Sequence, residues 1–375
     1  MYALNGPVGT HIVTNGRRFL FFAGNNYLGL ANHPAVKKEA VAAIEEYGLS
    51  CSASRETTGT SALHLELERL LSKFKNRPDA VIFSSGYLGN KILLHVLRER
   101  ITAVFADRFS HPSIVDGIPR DIAEVIFYHH GDVDHLSSLL RSRPGAKPLI
   151  ITDGLFALTG EIAPLDLIYR LAEKHRAIVV VDDAHATGIL GEHGRGSPEH
   201  FGLDGAENLF QTETMSKAFG SYGGFISSTK DIIETIRTSS AAYIGSTALP
   251  PSIVAASMAA LRYFQRHPQL RLKVLKNARY LKDGLRQLNF PTAPDDTPII
   301  PISFDTGEEA EQLSRHLYEQ GIIAPAVKYP VPMDRVLVRL TVSADHTTNH
   351  MDTLLQALKS WRNRHDSHHD QKGPR

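Results

Sequence analysis

Cysteine is all but missing from this chain: Cys51 stands alone among 375 residues. That excludes an intramolecular disulfide and any cysteine-rich metal centre. A surplus of charge is missing as well. Lys and Arg total 41 against 40 Asp and Glu, so nothing electrostatic calls for nucleic acid or an anionic membrane as a partner. No stretch reaches the ~18 apolar residues of a membrane span. The opening MYALNGPVGTHIV lacks the basic start and apolar run of a secretion signal. The expected location is therefore the cytoplasm. Neither GxGxxG nor a Walker phosphate loop occurs, and no internal repeat is visible.

What is present is enough apolar material for a large core. Hydrophobic residues make up 42% and charged residues 22%, the balance of a soluble globular protein. The length suggests two domains. Seven short runs read as strands: DAVIFS, TAVFAD, EVIFYH, PLIITD, AIVVVDD, NLFQTE and GGFISS. Each has a β-branched or aromatic centre and ends near Gly, Ser, Asp or His. Helical patterns lie between them, such as DLIYRLAEKHR with Leu167, Ile168, Leu171 and Ala172 on one face. This alternation predicts an α/β fold, a mainly parallel seven-stranded sheet with helices on both faces. Such sheets bind ligands at the carboxyl ends of their strands.

Pro250 and Pro251 then lead into long helices. IIPISF, EAEQLSRHLYEQG and VLVRLTVSA follow as strand, helix and strand, which predicts a smaller C-terminal α/β domain. The expected boundaries are an N-terminal segment over 1–50, a large domain over 51–255, a small domain over 256–362 and a disordered tail over 363–375. The histidines of the tail are read as solvated rather than metal-binding.

Four places on strand ends or loops could carry chemistry. In QTETMSKAFGSYGG, Lys217 is surrounded by residues too small to hide or pair an ammonium. In IVVVDDAHATG a buried strand runs directly into Asp182, Asp183 and His185. Such acids could also bind Mg²⁺, but no further ligands are evident from the spacing. In VIFSSGYLGNK a strand turns into a helix at Gly86, where free amides suit an anion. In FADRFSHPSIVDG, His111 follows a strand and precedes a proline. Singly, each has an ordinary structural explanation. Together, a lysine with room for a flat ring, a phosphate site, an acid and a ring-facing histidine fit pyridoxal 5'-phosphate (PLP). No metal is expected.

Five segments in this order carry a family resemblance: NNYLGLANHP, SRETTGTSALHLELE, VDDAHATGILGEHGRG, TMSKAFGSYGG and GSTALPP. They resemble the α-oxoamine synthases, fold-type-I PLP enzymes that join an amino acid to an acyl-CoA with loss of CO₂. The resemblance covers roughly residues 15 to 345. It implies Lys217 as the Schiff-base lysine and proton-transfer base, and Asp182 as partner of the pyridine nitrogen. It implies His185 at the phenolic oxygen and His111 stacked on the ring. Gly86, Tyr87 and Thr214 would hold the phosphate, together with Ser246 and Thr247 from a second subunit of a homodimer. Asn25 and Arg339 would clamp the amino acid's carboxylate. SRETTG resembles the members that use alanine, with glycine and serine users as alternatives. An aminotransferase on the same fold and a non-catalytic partner subunit are further readings. Two departures stand out. FALTG puts Ala157 where the family commonly has a serine beside the ring oxygen, leaving that bond to His185. The usual N-terminal helix that contacts the acyl chain is also not expected.

Overall fold

The structure is a computed structural model that describes residues 2–327, 333 and 335–369. The chain divides into two compact units, one of residues 33–156 and 162–268, the other of 1–32, 157–161 and 269–375. The division near residue 268 differs from the expected boundary at 255. The helix Pro251–Arg266 buries Val254, Leu261 and Phe264 and packs against the helix Pro34–Tyr47 of its own unit.

The N-terminal residues belong to the smaller unit. There β1 (His11–Thr14) and β2 (Arg17–Phe21) form an antiparallel hairpin. This element was not anticipated. The hairpin turn uses Asn15 and Gly16, both at positive φ, the backbone that a tight turn between strands requires.

The larger unit carries seven strands: β3 (Asp79–Phe83), β4 (Ala103–Asp107), β5 (Glu124–Tyr128), β6 (Pro148–Asp153), β7 (Ile178–Asp182), β8 (Leu209–Thr214) and β9 (Gly224–Ser228). They are the seven runs read from the sequence. They form one sheet in the order β3-β9-β8-β7-β6-β4-β5. The strands from β8 to β5 pair in parallel, while β9 is antiparallel to both of its neighbours. The parallel strands β4, β6, β7 and β8 are buried on both faces, as their continuous apolar runs require, while the edge strand β5 is largely exposed. One core cluster gathers Val81, Ile92, Val104, Ile151 and Val180, another Phe105, Ile150, Leu165, Val179 and Leu209. The helix Leu165–His175 buries Leu165, Ile168, Leu171 and Ala172. Leu167, expected on that face, is 43% exposed, because it lies at the margin of the face, in i+4 spacing with Leu171 but far round the helix from Leu165 and Ala172.

The smaller unit adds β10 (Ile299–Phe304), β11 (Ile322–Ile323), β12 (Ala326–Val327) and β13 (Val336–Thr341). They make two three-stranded sheets, β1-β2-β11 and β10-β13-β12. Its last helix runs Thr348–His369. Residues 363–369, expected to be disordered, thus continue the helix, and 370–375 lie outside the described residues. Among the described residues no helix is long and apolar enough to cross a membrane.

Candidate active site

The parallel strands β4, β6, β7 and β8 end on one side of the larger unit. A cleft there is lined by Ser85, Gly86, Tyr87, His111, Ser113, Asp153, Asp182, Ala184, His185, Thr214, Ser216 and Lys217. The sheet therefore brings together Gly86, Tyr87, His111, Asp182, His185, Thr214 and Lys217, which are scattered over 130 positions of sequence.

Asp182 ends β7 and is buried, 7% exposed. Its Oδ2 accepts a 2.7 Å bond from Asn90 Nδ2, with Ser113 Oγ at 3.5 Å, and its Oδ1 accepts from the Ala184 amide at 3.1 Å. Asn90 is itself fully buried. It also donates to Ser113 Oγ at 3.0 Å and accepts from Thr212 Oγ1 at 2.9 Å. One amide thus ties Asp182 to the helix Leu88–Leu97, to β8 and to the turn carrying His111.

His111 precedes Pro112, the first residue of a short helix. Its backbone N–H donates to Asp153 Oδ2 at 2.9 Å, and its Nδ1 accepts from the Ser113 amide at 3.1 Å. Burial lowers its pKa; Lys217 acts in the same direction and Asp182 against it. The ring is therefore a neutral imidazole at physiological pH. Asp153 pairs in register with Asp182 across β6 and β7. Burial, and then the Asp182 charge, push the Asp153 carboxyl well above its ordinary value. Two adjacent buried acids cannot both ionise cheaply, which favours the protonated form of Asp153.

β3 leads through Ser84–Tyr87 into the helix Leu88–Leu97. A Cβ added at Gly86 would lie 2.8 Å from both Cβ and Oγ1 of Thr214, so only glycine lets the turn approach β8 so closely. Thr214 Oγ1 donates to the Gly223 carbonyl at 2.8 Å and accepts from the Ser216 amide at 3.1 Å. Tyr87 is 45% exposed, turns its ring edge to His111 at 6.0 Å and donates to Asp116. Lys217 is half-buried and His185 buried.

Ser246 and Thr247 do not line this cleft. Ser246 Oγ donates to the Ala242 carbonyl at 2.5 Å, and Thr247 bridges to Ser54. In the smaller unit, Arg339 Nη2 donates to Asn25 Oδ1 at 2.9 Å and to Tyr27 Oη at 3.4 Å. Arg339 Nε is buried and makes no hydrogen bond. Among the described residues no group of three or more His, Cys, Asp or Glu is placed to hold a metal ion.

Known proteins match this architecture. The profile of the family described as "Aminotransferase class I and II" matches residues 18–358. The 8-amino-7-oxononanoate synthase of Thermoanaerobacter pseudethanolicus is 39% identical over 359 residues, 95% of this chain and 91% of that protein. The enzyme of the same name from Lysinibacillus sphaericus is 38% identical over 93% of this chain and 90% of its own. Among solved structures, the serine palmitoyltransferase of Sphingomonas wittichii superimposes with a TM-score of 0.91 at 29% identity, covering 97% of this chain and 92% of that one. The chain belongs to the class I and II aminotransferase family, in its α-oxoamine synthase branch.

The synthase cleft suits PLP on its own chemistry. It offers one amine, one buried acid with its donors already arranged, a neutral imidazole, and a glycine turn at the start of a ten-residue helix. A helix start of this kind receives a phosphate through its free amides. Sequence reasoning passed over Asn90, Ser113 and Asp153. Asn90 lies four residues after Gly86 in the quoted strand–turn–helix segment, and Asp153 closes a strand run that had been quoted. A polar residue in or at the end of an otherwise apolar run was the available signal.

Proposed function

We infer that this synthase catalyses a PLP-dependent decarboxylative condensation. A small amino acid, L-alanine or glycine, reacts with an acyl-CoA to give an amino ketone, CoA and CO₂. The observation that carries the reading is the convergence of Lys217, Asp182, His111 and His185 on one cleft. The relatives at 36–39% identity make 8-amino-7-oxononanoate synthase chemistry the favoured specific activity, with pimeloyl-CoA as acyl donor. The serine palmitoyltransferase neighbours make serine with a long acyl-CoA the second reading, at the lower identity of 29%.

PLP, when bound, supplies the electron sink for a carbanion at the amino acid's Cα. The residues supply the rest. Lys217 carries the cofactor's covalent link, then moves the proton at Cα, and its small neighbours leave space for both tasks. Asp182 accepts a hydrogen bond from the protonated pyridine nitrogen, and Asn90 keeps its carboxylate aimed. His111, neutral, covers one face of the ring without adding a positive charge. His185 donates to the phenolic oxygen. The amides at Gly86 and Tyr87 and the Thr214 hydroxyl hold the phosphate. Arg339 takes the substrate carboxylate, its orientation fixed by Asn25 and Tyr27.

The active form in this reading is a two-fold homodimer in the cytoplasm, with Ser246 and Thr247 completing the partner's phosphate site. Borohydride reduction of the yellow protein tests the lysine. The cofactor should become fixed to the peptide that contains Lys217; label on another lysine refutes the assignment.

A further inference from the structure

Behind the cleft lies a group of buried charges that the reaction does not use. Lys75 follows the helix Ala62–Phe74 and is 1% exposed. Its ammonium pairs with Glu213 Oε1 and donates to the Arg195 carbonyl. Glu213 is equally buried, and its Oε1 also accepts from Thr187 Oγ1 at 3.3 Å. Asp183, with no exposed surface, accepts from the Ser197 amide at 2.8 Å, from Ser197 Oγ at 2.5 Å and from Gln211 Nε2 at 2.7 Å. A Cβ added at Gly196 would fall 2.0 Å from Asp183 Oδ2, so the loop is cut close to fit this carboxylate.

The two acids stand next to site residues. Glu213 immediately precedes Thr214, and Asp183 immediately follows Asp182. Successive side chains of a strand point to opposite faces. Thr214 and Asp182 line the cleft; Glu213 and Asp183 do not. The Asp183 amide donates to the Thr212 carbonyl at 2.9 Å, which joins the two strand ends directly. Lys75 therefore holds the end of β8 from the rear, and the Asp183–Thr212 bond ties the end of β7 to it; these ends present Asp182, Thr214 and, three residues on, Lys217.

We propose that Lys75 and Glu213 are positioning residues of the cofactor site, and that their buried bond fixes the end of β8 so that Thr214 and Lys217 meet PLP in register. Burying an ion pair is a poor way to gain stability alone. Its value here lies in geometry: a bond at residue 213 limits the freedom of residue 214. The charge count supports the arrangement. Lys75 and Asp183 are the charged groups that face Glu213, and burial pushes the Glu213 carboxyl up to about 7, Lys75 lowering it and Asp183 raising it. Lys75 thus acts against the burial cost of both acids, and it pairs directly with Glu213.

The inference rests on the PLP reading above, and the test separates the two. PLP dissociation from the loaded protein is followed by its visible absorbance, well below the unfolding temperature. Glu213→Gln keeps an acceptor for Lys75 and Thr187, and PLP affinity should stay within about threefold of wild type. Glu213→Leu keeps an apolar filling and removes the bond, leaving Lys75 its bond to the Arg195 carbonyl. PLP affinity should fall about tenfold or more, equivalent to about 1.4 kcal/mol. Should that variant not fold, Lys75→Met/Glu213→Gln removes the bond without stranding an ammonium, and the same loss is expected. Wild-type affinity in the bond-lacking variant overturns the inference. An equal loss in Glu213→Gln also overturns it, since the hydrogen bond would then not be the cause. If the wild-type chain binds no PLP, the cofactor reading falls and this inference with it.

Discussion

Asn90→Leu is the sharpest probe of how the cleft is built. The side chains are similar in size, so the change removes hydrogen bonds and leaves little void. Three bonds go: to Asp182 at 2.7 Å, to Ser113 at 3.0 Å and from Thr212 at 2.9 Å. A bond to a charged group contributes roughly 1.5–3 kcal/mol and a neutral one roughly 0.5–1.5 kcal/mol. The sum is about 4 kcal/mol, and no water can easily replace the partners of a fully buried side chain. For a unit of this size each kcal/mol moves the unfolding temperature by roughly 2–4 °C, so the cofactor-free protein should melt roughly 8–16 °C lower. Thermal unfolding by circular dichroism reads this directly. PLP affinity should fall as well, because Asp182 loses its shortest bond and is free to turn. Asn90→Asp should be worse than Asn90→Leu, since it places a second carboxylate against Asp182. A Leu variant that melts within about 2 °C of wild type would show that the three bonds do not hold the site together.

Two other expectations follow from geometry. In the smaller unit His346 Nδ1 accepts from the Ser343 amide at 3.0 Å, and Nε2 donates to the Phe21 carbonyl at 3.1 Å. That ring is held neutral, its pKa lowered by burial from 6.5 to about 4. The unfolded chain takes up the proton first, so the stability is complete above about pH 6.5 and is lost as the pH falls toward 4. The gap corresponds to about 3 kcal/mol, and His346→Gln should flatten the denaturant midpoint over that range; an unchanged slope would refute it. For the shared site, Lys217→Ala chains mixed with Ser246→Ala/Thr247→Ala chains under exchange conditions should recover about a quarter of wild-type activity, because about half the dimers are mixed and each has one intact site. No recovery would mean that the site lies within one chain or that those two residues do not touch the phosphate.

The strands of the larger unit were legible because each is a short β-branched run bounded by polar residues. That Lys217, Asp182 and His111 come together was legible because all three follow strands, and the strand ends of a parallel sheet lie side by side. The direction of β9 was not, since GGFISS reads alike in either sense and pairing is decided by partners distant in sequence. The hairpin β1–β2 was passed over because HIVT and RRFLF are short and carry two arginines, although the Asn15-Gly16 pair between them is a hairpin signal. Asn90 is a polar residue on a mostly apolar helix, but its partner Asp182 is 92 residues away, so LGNKILL does not show which group the amide holds. Glu213 left a trace: it is the one charged residue in LFQTET, a strand otherwise apolar or uncharged. Its partner Lys75 sits at a helix end, where a lysine is expected on dipole grounds alone. Residues 363–369 read as tail because RHDSHH has no apolar periodicity, yet the preceding turns carry the helix on to His369.

The central claim is condensation with loss of CO₂, and the product balance decides it. Purified protein with PLP, L-alanine and pimeloyl-CoA should release CO₂ and CoA in equal amounts, and Lys217→Ala should release neither. Glycine, serine and a series of acyl-CoAs, assayed in the same way, then rank the substrates. Amino-group transfer from the amino acid to a keto acid, with no thioester present and no CO₂ evolved, would contradict the account and make the protein an aminotransferase.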